Sequence, residues 1–123
     1  MEIKSKVHSL FVYGTLRQGT DKNMPAVVEG YKMYDLGAFP GIKPDLNSAI
    51  QCEVRTVSDE ELAGFDRYEG YHEDRPETSL YLRKECIGKN PDTGEEVSGW
   101  IYVYNHEPQE EMAIEGGDWF SHK

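Results

Sequence analysis

Long apolar runs are missing from this 123-residue chain. No stretch approaches the ~18 residues that a membrane span needs, and the N-terminal Met-Glu-Ile-Lys-Ser-Lys-Val-His has no signal-peptide h-region. No membrane association and a cytoplasmic location are therefore expected. Positive charge is scarce as well. Thirteen Lys and Arg stand against 23 Asp and Glu, a net charge of −10, and the far field of such a surface repels phosphate polymers and anionic lipid. Nucleic acid is thus not an expected partner. The same field opposes strongly anionic small substrates, unless backbone N–H groups or a basic side chain such as Arg17, Lys43 or Arg83 offsets it locally. Cysteine is limited to Cys52 and Cys86, neither with metal-ligand spacing, and both read as reduced thiols in strands, poor nucleophile candidates. His8, His72, His106 and His122 are scattered without His-x-x-x-His spacing, so no metal site is expected. No catalytic triad can be assembled, and Gly14 to Gly19 lacks the Gly-Lys-Ser/Thr ending of a phosphate-binding loop.

What is present is enough for one folded domain spanning residues 1–123. Hydrophobic residues make up 37% and charged residues 29% of the chain, ordinary fractions for a globular body with a solvated surface. Five segments read as strands: residues 8–13, 31–36, 49–57, 81–87 and 97–104. The third alternates cleanly, with Ile50, Cys52, Val54 and Thr56 on one face and Gln51, Glu53 and Arg55 on the other. Residues 20–30 show no period, and residues 37–42, with Pro40-Gly41, read as a loop. Turn formers over residues 88–94 join the last two strands into a hairpin. Ser58-Asp59-Glu60-Glu61 is a capping box, and the helix it starts runs to about residue 68 before Gly70. The sum is an α+β domain whose sheet is closed or nearly so.

Two places carry chemistry. Leu62, Phe65, Asp66 and Glu69 stand at i, i+3, i+4 and i+7 of the helix, so Glu69 projects from the apolar stripe. Held against apolar surface, its carboxyl would have a raised pKa, the property a Glu needs to exchange protons near neutrality. The same spacing also allows Glu69, at the end of the helix, to reach solvent or accept loop N–H groups. The second place is Tyr13-Gly14-Thr15-Leu16-Arg17, where a strand turns at a glycine and consecutive N–H groups are free to face an anion or a carbonyl oxygen; a plain turn is the simpler reading. Tyr81, Arg83, Trp100, Tyr102 and Tyr104 alternate within strands as packing residues, with Tyr81 and Arg83 on a shared face that suits a pocket lining.

In order and spacing, Phe11-Val12-Tyr13-Gly14-Thr15-Leu16-Arg17, Phe39-Pro40-Gly41-Ile42, Phe65-Asp66-Arg67-Tyr68-Glu69-Gly70-Tyr71, Tyr81-Leu82-Arg83 and Gly117-Asp118-Trp119 resemble the gamma-glutamylcyclotransferase-like family, most nearly its gamma-glutamylamine cyclotransferase branch. Phe65 departs from the Leu that commonly precedes the Asp. The resemblance implies a small mixed β-barrel of about five to seven strands with few flanking helices, its cavity lying between the Tyr13 to Leu16 loop and the end of the Glu69 helix. It implies Glu69 as catalytic acid/base, Tyr13, Gly14, Thr15 and Leu16 as the loop that holds the glutamyl moiety through backbone groups, and Tyr81 as a lining residue. The implied reaction is attack of a gamma-glutamyl substrate's own α-amine on its gamma-carbonyl, releasing 5-oxoproline and the free amine without cofactor or metal. A hydrolase of a related amide bond, a non-catalytic ligand-binding barrel and an acidic adaptor are the competing readings; the oligomeric state is not addressed by the residues.

Overall fold

Alternating apolar residues close into a five-stranded barrel in the computed structural model, which describes residues 7–14, 17 and 23–122. The strands are β1 (Val7–Val12), β2 (Met24–Asp35), β3 (Pro40–Ser58), β4 (Tyr81–Lys89) and β5 (Glu96–Tyr104). Around the barrel they run β1-β3-β2-β4-β5. All neighbours are antiparallel except β1 and β5, which meet in parallel at Leu10 and Trp100 and make the sheet mixed. Helix α1 (Asp59–Tyr68) follows β3, and α2 (Trp119–His122) lies near the C-terminus. No helix among the described residues is long and apolar enough to cross a membrane.

Register decides which side chains share a face. Phe11 opposes Val54, Ala26 opposes Cys52, Val28 opposes Ile50 and Met33 opposes Ile42; directly opposed residues point the same way. These residues fill the barrel, with Ile114 and Trp119 packed in the same cluster. Leu10, Val12, Val57, Tyr81 and Tyr102 form a second cluster, on the outer face, with Leu62 and Phe65 of α1 packed over it. Phe11 fits because Gly88 of β4 and Gly99 of β5 have no side chains: a Cβ at Gly88 would press into the Phe11 ring and one at Gly99 would stand 3.0 Å from it.

Three expectations are corrected. Residues 20–30 show no period and are not among the expected strands, yet β2 begins at Met24. A register shift between Glu29 and Tyr31, with Gly30 at φ +92°, moves the inward set from Ala26 and Val28 to Tyr31 and Met33 and erases the period. Residues 37–42 were expected to be a loop, but β3 starts at Pro40, paired with Asp35, and the turn is confined to residues 36–39. Pro is accommodated as the first residue of a strand, where its missing N–H costs little. Finally, the outward face of β3 is not solvated throughout: Glu53 is fully buried, Val57 nearly so, and Thr56 of the expected apolar set is exposed.

Candidate active site

The end of α1 is built by its last residues. Ser58 accepts the Glu61 N–H at 3.1 Å while Glu61 accepts the Ser58 N–H at 2.9 Å, so the capping box starts the helix where the spacing places it. At the other end the Gly70 N–H donates to Arg67 O at 3.2 Å and the Tyr71 N–H to Asp66 O at 2.8 Å. With Gly70 at φ +69°, this is the Schellman arrangement, which requires a residue tolerant of left-handed backbone. Glu69 is therefore the C-cap, its own N–H held by Phe65 O at 2.8 Å. The Gly70 carbonyl accepts the Leu80 N–H at 2.9 Å, tying the helix end to the entry of β4.

Glu69, Tyr13, Gly14 and Tyr81 line one cavity of about 200 Å³. Phe11, Tyr13, Tyr81 and Tyr102, all nearly inaccessible, form its inner wall, whereas Phe39, Tyr68 and Leu80 are exposed at its mouth. The chain leaving β1 comes close to the start of β3: a Cβ on Gly14 would lie 2.9 Å from the Pro40 ring. Thr15 and Leu16 lie outside the described residues.

The phenols around Glu69 are committed elsewhere. Tyr81 donates to Pro40 O at 2.7 Å, Tyr13 to Tyr102 O at 2.5 Å, and Tyr102 to Asp66 Oδ1 at 2.7 Å. Burial pushes all three pKa values up, and the Glu69 carboxylate adds to each by repulsion, which puts this charge among the three rings. Asp66 sits one turn earlier, between the Tyr102 hydroxyl and the Arg83 guanidinium at 3.3 Å. Glu69 has no hydrogen bond or ion pair to its carboxyl group among the described residues, and burial raises its pKa from 4.5 to about 7. A carboxyl group poised there can both take and give a proton at neutral pH.

The basic side chains expected to offset anionic charge are otherwise engaged. Arg17 donates from Nε to Glu53 Oε2 at 3.0 Å and from Nη1 to Asp118 Oδ1 at 2.8 Å, with Phe120 4.0 Å beneath its guanidinium. Asn23 donates to the other Glu53 oxygen at 3.0 Å. Lys43 donates to Tyr104 O at 2.9 Å. Arg83 does not line the cavity with Tyr81; it turns to Asp66 and to the Trp100 ring, 4.5 Å away. Cys52 and Cys86 are free thiols in β3 and β4; burial drives the Cys52 pKa well up and Cys86 to about 12, so neither forms a thiolate readily. No three His, Cys, Asp or Glu among the described residues are grouped to hold a metal. Beyond the expected residues the cavity is lined by Phe11, Val12, Phe39, Pro40, Tyr68, Leu80 and Tyr102. Tyr102 was marked only by strand alternation, and nothing in the local sequence of Leu80 pointed to the cavity.

A closed β-barrel with a buried carboxyl group in a cavity beside the residues that leave its first strand, unpaired among the described residues, defines a small barrel protein with an acidic site. The chain belongs to the family described as gamma-glutamyl cyclotransferase, AIG2-like, which matches residues 10–121. It is 30% identical over 122 residues to a putative gamma-glutamylcyclotransferase of Vibrio cholerae, covering 91% of this chain and 95% of that protein. It is likewise 30% identical over 121 residues to the gamma-L-glutamyl-butirosin B gamma-glutamyl cyclotransferase of Niallia circulans, covering 90% of this chain and 74% of that one. The fold is shared with an AIG2-like protein from Mus musculus, at a TM-score of 0.71 and 18% identity over 92% of this chain and 88% of the other.

Proposed function

We propose that this chain is a gamma-glutamyl cyclotransferase that acts on gamma-glutamyl amines or amino acids and releases 5-oxoproline and the free amine. The observation that carries the reading is the Glu69 carboxyl group, without a hydrogen-bonding or ionic partner among the described residues and with its pKa near 7, in one cavity with Tyr13 and Gly14. The substrate's gamma-carbonyl and α-carboxylate face the backbone at Tyr13 and Gly14, and Tyr81 forms part of the wall. Glu69 takes a proton from the α-ammonium. The freed amine attacks the gamma-carbonyl, a new C–N bond closes the five-membered lactam, and the original amide C–N bond breaks. Two protons leave the α-nitrogen and two reach the departing nitrogen, carried one at a time by Glu69, which ends as it began. Nucleophile and electrophile come from one molecule, so proximity is supplied by the substrate and the protein contributes orientation, oxyanion stabilisation and proton transfer. No cofactor enters this sequence of steps.

The test is Glu69→Gln, assayed by mass spectrometry for 5-oxoproline from gamma-glutamyl amides. The amide keeps the shape of the side chain but has no transferable proton. Turnover should fall by ~10²- to 10⁴-fold while thermal unfolding remains cooperative. Lactam release at the parent rate would remove Glu69 from the chemistry, and free glutamate in place of lactam would make the protein a hydrolase.

A further inference from the structure

Behind the wall of the Glu69 cavity, on the outer face of the barrel, one carboxylate joins three elements. Arg83 and Tyr102 are directly opposed on β4 and β5, so both side chains stand on the same side of the sheet, and α1 lays Asp66 across the pair. Asp66 Oδ1 accepts the Tyr102 hydroxyl at 2.7 Å and lies 3.3 Å from Arg83 Nε. The guanidinium rests against two rings, Trp100 at 4.5 Å and Tyr71 at 5.5 Å. Its Nε is buried and forms no hydrogen bond among the described residues. Charge and ring contact, not a directional bond, therefore hold it in place.

Each of these partners leads back to Glu69. Asp66 precedes it by about one helical turn, and Tyr71 follows it by two residues and closes the helix with an N–H bond to Asp66 O at 2.8 Å. Tyr102 lines the Glu69 cavity, and its carbonyl accepts the Tyr13 hydroxyl. The acid is thus bracketed along the chain by two residues that touch Arg83, and it faces a wall whose Tyr102 is anchored on Asp66.

The charges of the pair matter as much as its contacts. The titratable groups that share the cavity with Glu69 are phenols: Tyr13 after β1, Tyr68 of α1, Tyr81 of β4 and Tyr102 of β5. Burial keeps Tyr13, Tyr81 and Tyr102 protonated, hence neutral, near pH 7. Arg67, in the last turn of α1, is exposed. Asp66 is the carboxylate on the same stripe as Glu69, and side chains three apart on a helix are neighbours, with Cβ atoms ~5 Å apart. A bare negative charge there would oppose ionisation of Glu69. Arg83 cancels it.

We propose that Asp66 and Arg83 are positioning residues for the reaction at Glu69: the pair pins the end of α1 and the Tyr102 ring to the barrel wall, and because its two charges compensate each other it does so without adding net charge beside the acid/base. The assignment rests on the cyclotransferase reading of the cavity. It is tested by following kcat/KM for 5-oxoproline release from gamma-glutamyl methylamide against pH in Asp66→Asn, Arg83→Met, Arg83→Lys and the double variant Asp66→Asn/Arg83→Met. Asp66→Asn leaves an uncompensated cation, which favours the Glu69 carboxylate, so the rising limb should move to lower pH. Arg83→Met leaves an uncompensated anion and should move it to higher pH, each by about half a unit or more. The double variant has neither charge; its limb should return to the parent position while kcat falls about tenfold, because the pin is gone. Arg83→Lys keeps the charge but cannot lie flat against two rings, so its limb should stay in place while kcat falls by a similar factor. The position of a limb does not depend on how much of a variant folds, and loss of structure alone gives no shifts of opposite sign. Shifts of one sign or none in Asp66→Asn and Arg83→Met, or parent kcat in the double variant, would overturn the assignment while leaving the cyclotransferase intact. Absence of lactam from the unaltered protein would overturn both.

Discussion

Asp66 and Glu69 stand three residues apart on one helix and face different surroundings. Asp66 is matched by a hydroxyl and a guanidinium; Glu69 has apolar and phenolic neighbours and the negative end of its own helix. Burial therefore places the Glu69 pKa at about 7 against 4.5, with consequences for both rate and stability. The base form is populated above neutrality, so kcat/KM should rise with pH along a limb centred near 7. For stability, the folded state holds a proton between 4.5 and about 7 that the unfolded chain has released. Stability falls as pH rises through that window, by at most about 3 kcal/mol. Glu69→Gln should accordingly raise the unfolding midpoint by several degrees near pH 8 and hardly change it near pH 4.5. An equal change at both values would mean that the folded carboxyl titrates like an exposed one. Helical spacing made the inward aim of Glu69 legible. It did not reveal that Asp66, on the same stripe, would be neutralised from β4 and β5, because those partners are distant in sequence.

At the scale of elements, what could be read was what local chemistry enforces. The capping box, the alternation over residues 49–57 and the turn formers at residues 88–94 each act within a few residues, and α1, β3 and the β4–β5 hairpin follow them. β2 was hidden by a bulge that switches its inward set partway along. The start of β3 was hidden by a Pro-Gly pair whose partner strand decides the outcome. The two ends of α1 can be separated experimentally. Ser58→Ala removes the oxygen that satisfies the Glu61 N–H and should cost ~1 kcal/mol. Gly70→Ala forces a Cβ onto left-handed backbone, 3.2 Å from Leu80 Cβ, and should cost about 1–2 kcal/mol. Urea unfolding would show two losses of similar size. Turnover should distinguish them, since Ser58 lies at the far end of the helix whereas Gly70 fixes the direction in which Glu69 leaves it: kcat should hold in Ser58→Ala and drop at least tenfold in Gly70→Ala. Equal effects on kcat would mean that helix stability alone controls the site.

Across the whole molecule, a cluster of opposite charges joins segments that the sequence keeps far apart. Arg17 follows β1, Glu53 lies in the middle of β3 and Asp118 precedes α2, yet one guanidinium binds both carboxylates, and the backbone N–H of Arg17 donates to Gly14 O at 3.0 Å. A strict alternation puts Glu53 on a solvated face; only the closed barrel, with Arg17 laid across β3, makes it a buried partner. The topology that causes this could not be read from local pattern, although both ends of the cluster fall in blocks carrying the family resemblance. Arg17→Ala would leave a fully buried carboxylate with Asn23 as a remaining donor, and breaking one side of a buried pair costs about 3–5 kcal/mol. Asp118 is partly exposed. Its burial works against ionisation, but hydrogen bonds from Arg17, Ser121 and the Phe120 N–H hold its carboxyl below the usual range. A depressed folded pKa contributes stability that is present above the ordinary value near 3.8 and is lost as pH falls through the folded one. Asp118→Asn should therefore be the milder change, about 1 kcal/mol at neutral pH, because water replaces part of what Arg17 loses. Arg17→Lys should recover little of the Arg17→Ala loss, since one ammonium cannot reach two carboxylates with the geometry of the fork. Urea titrations of the three variants at neutral pH decide the matter: full rescue by lysine, or equal losses in Arg17→Ala and Asp118→Asn, would show that the cluster is held by charge alone and not by the geometry that spans β1, β3 and the C-terminal segment.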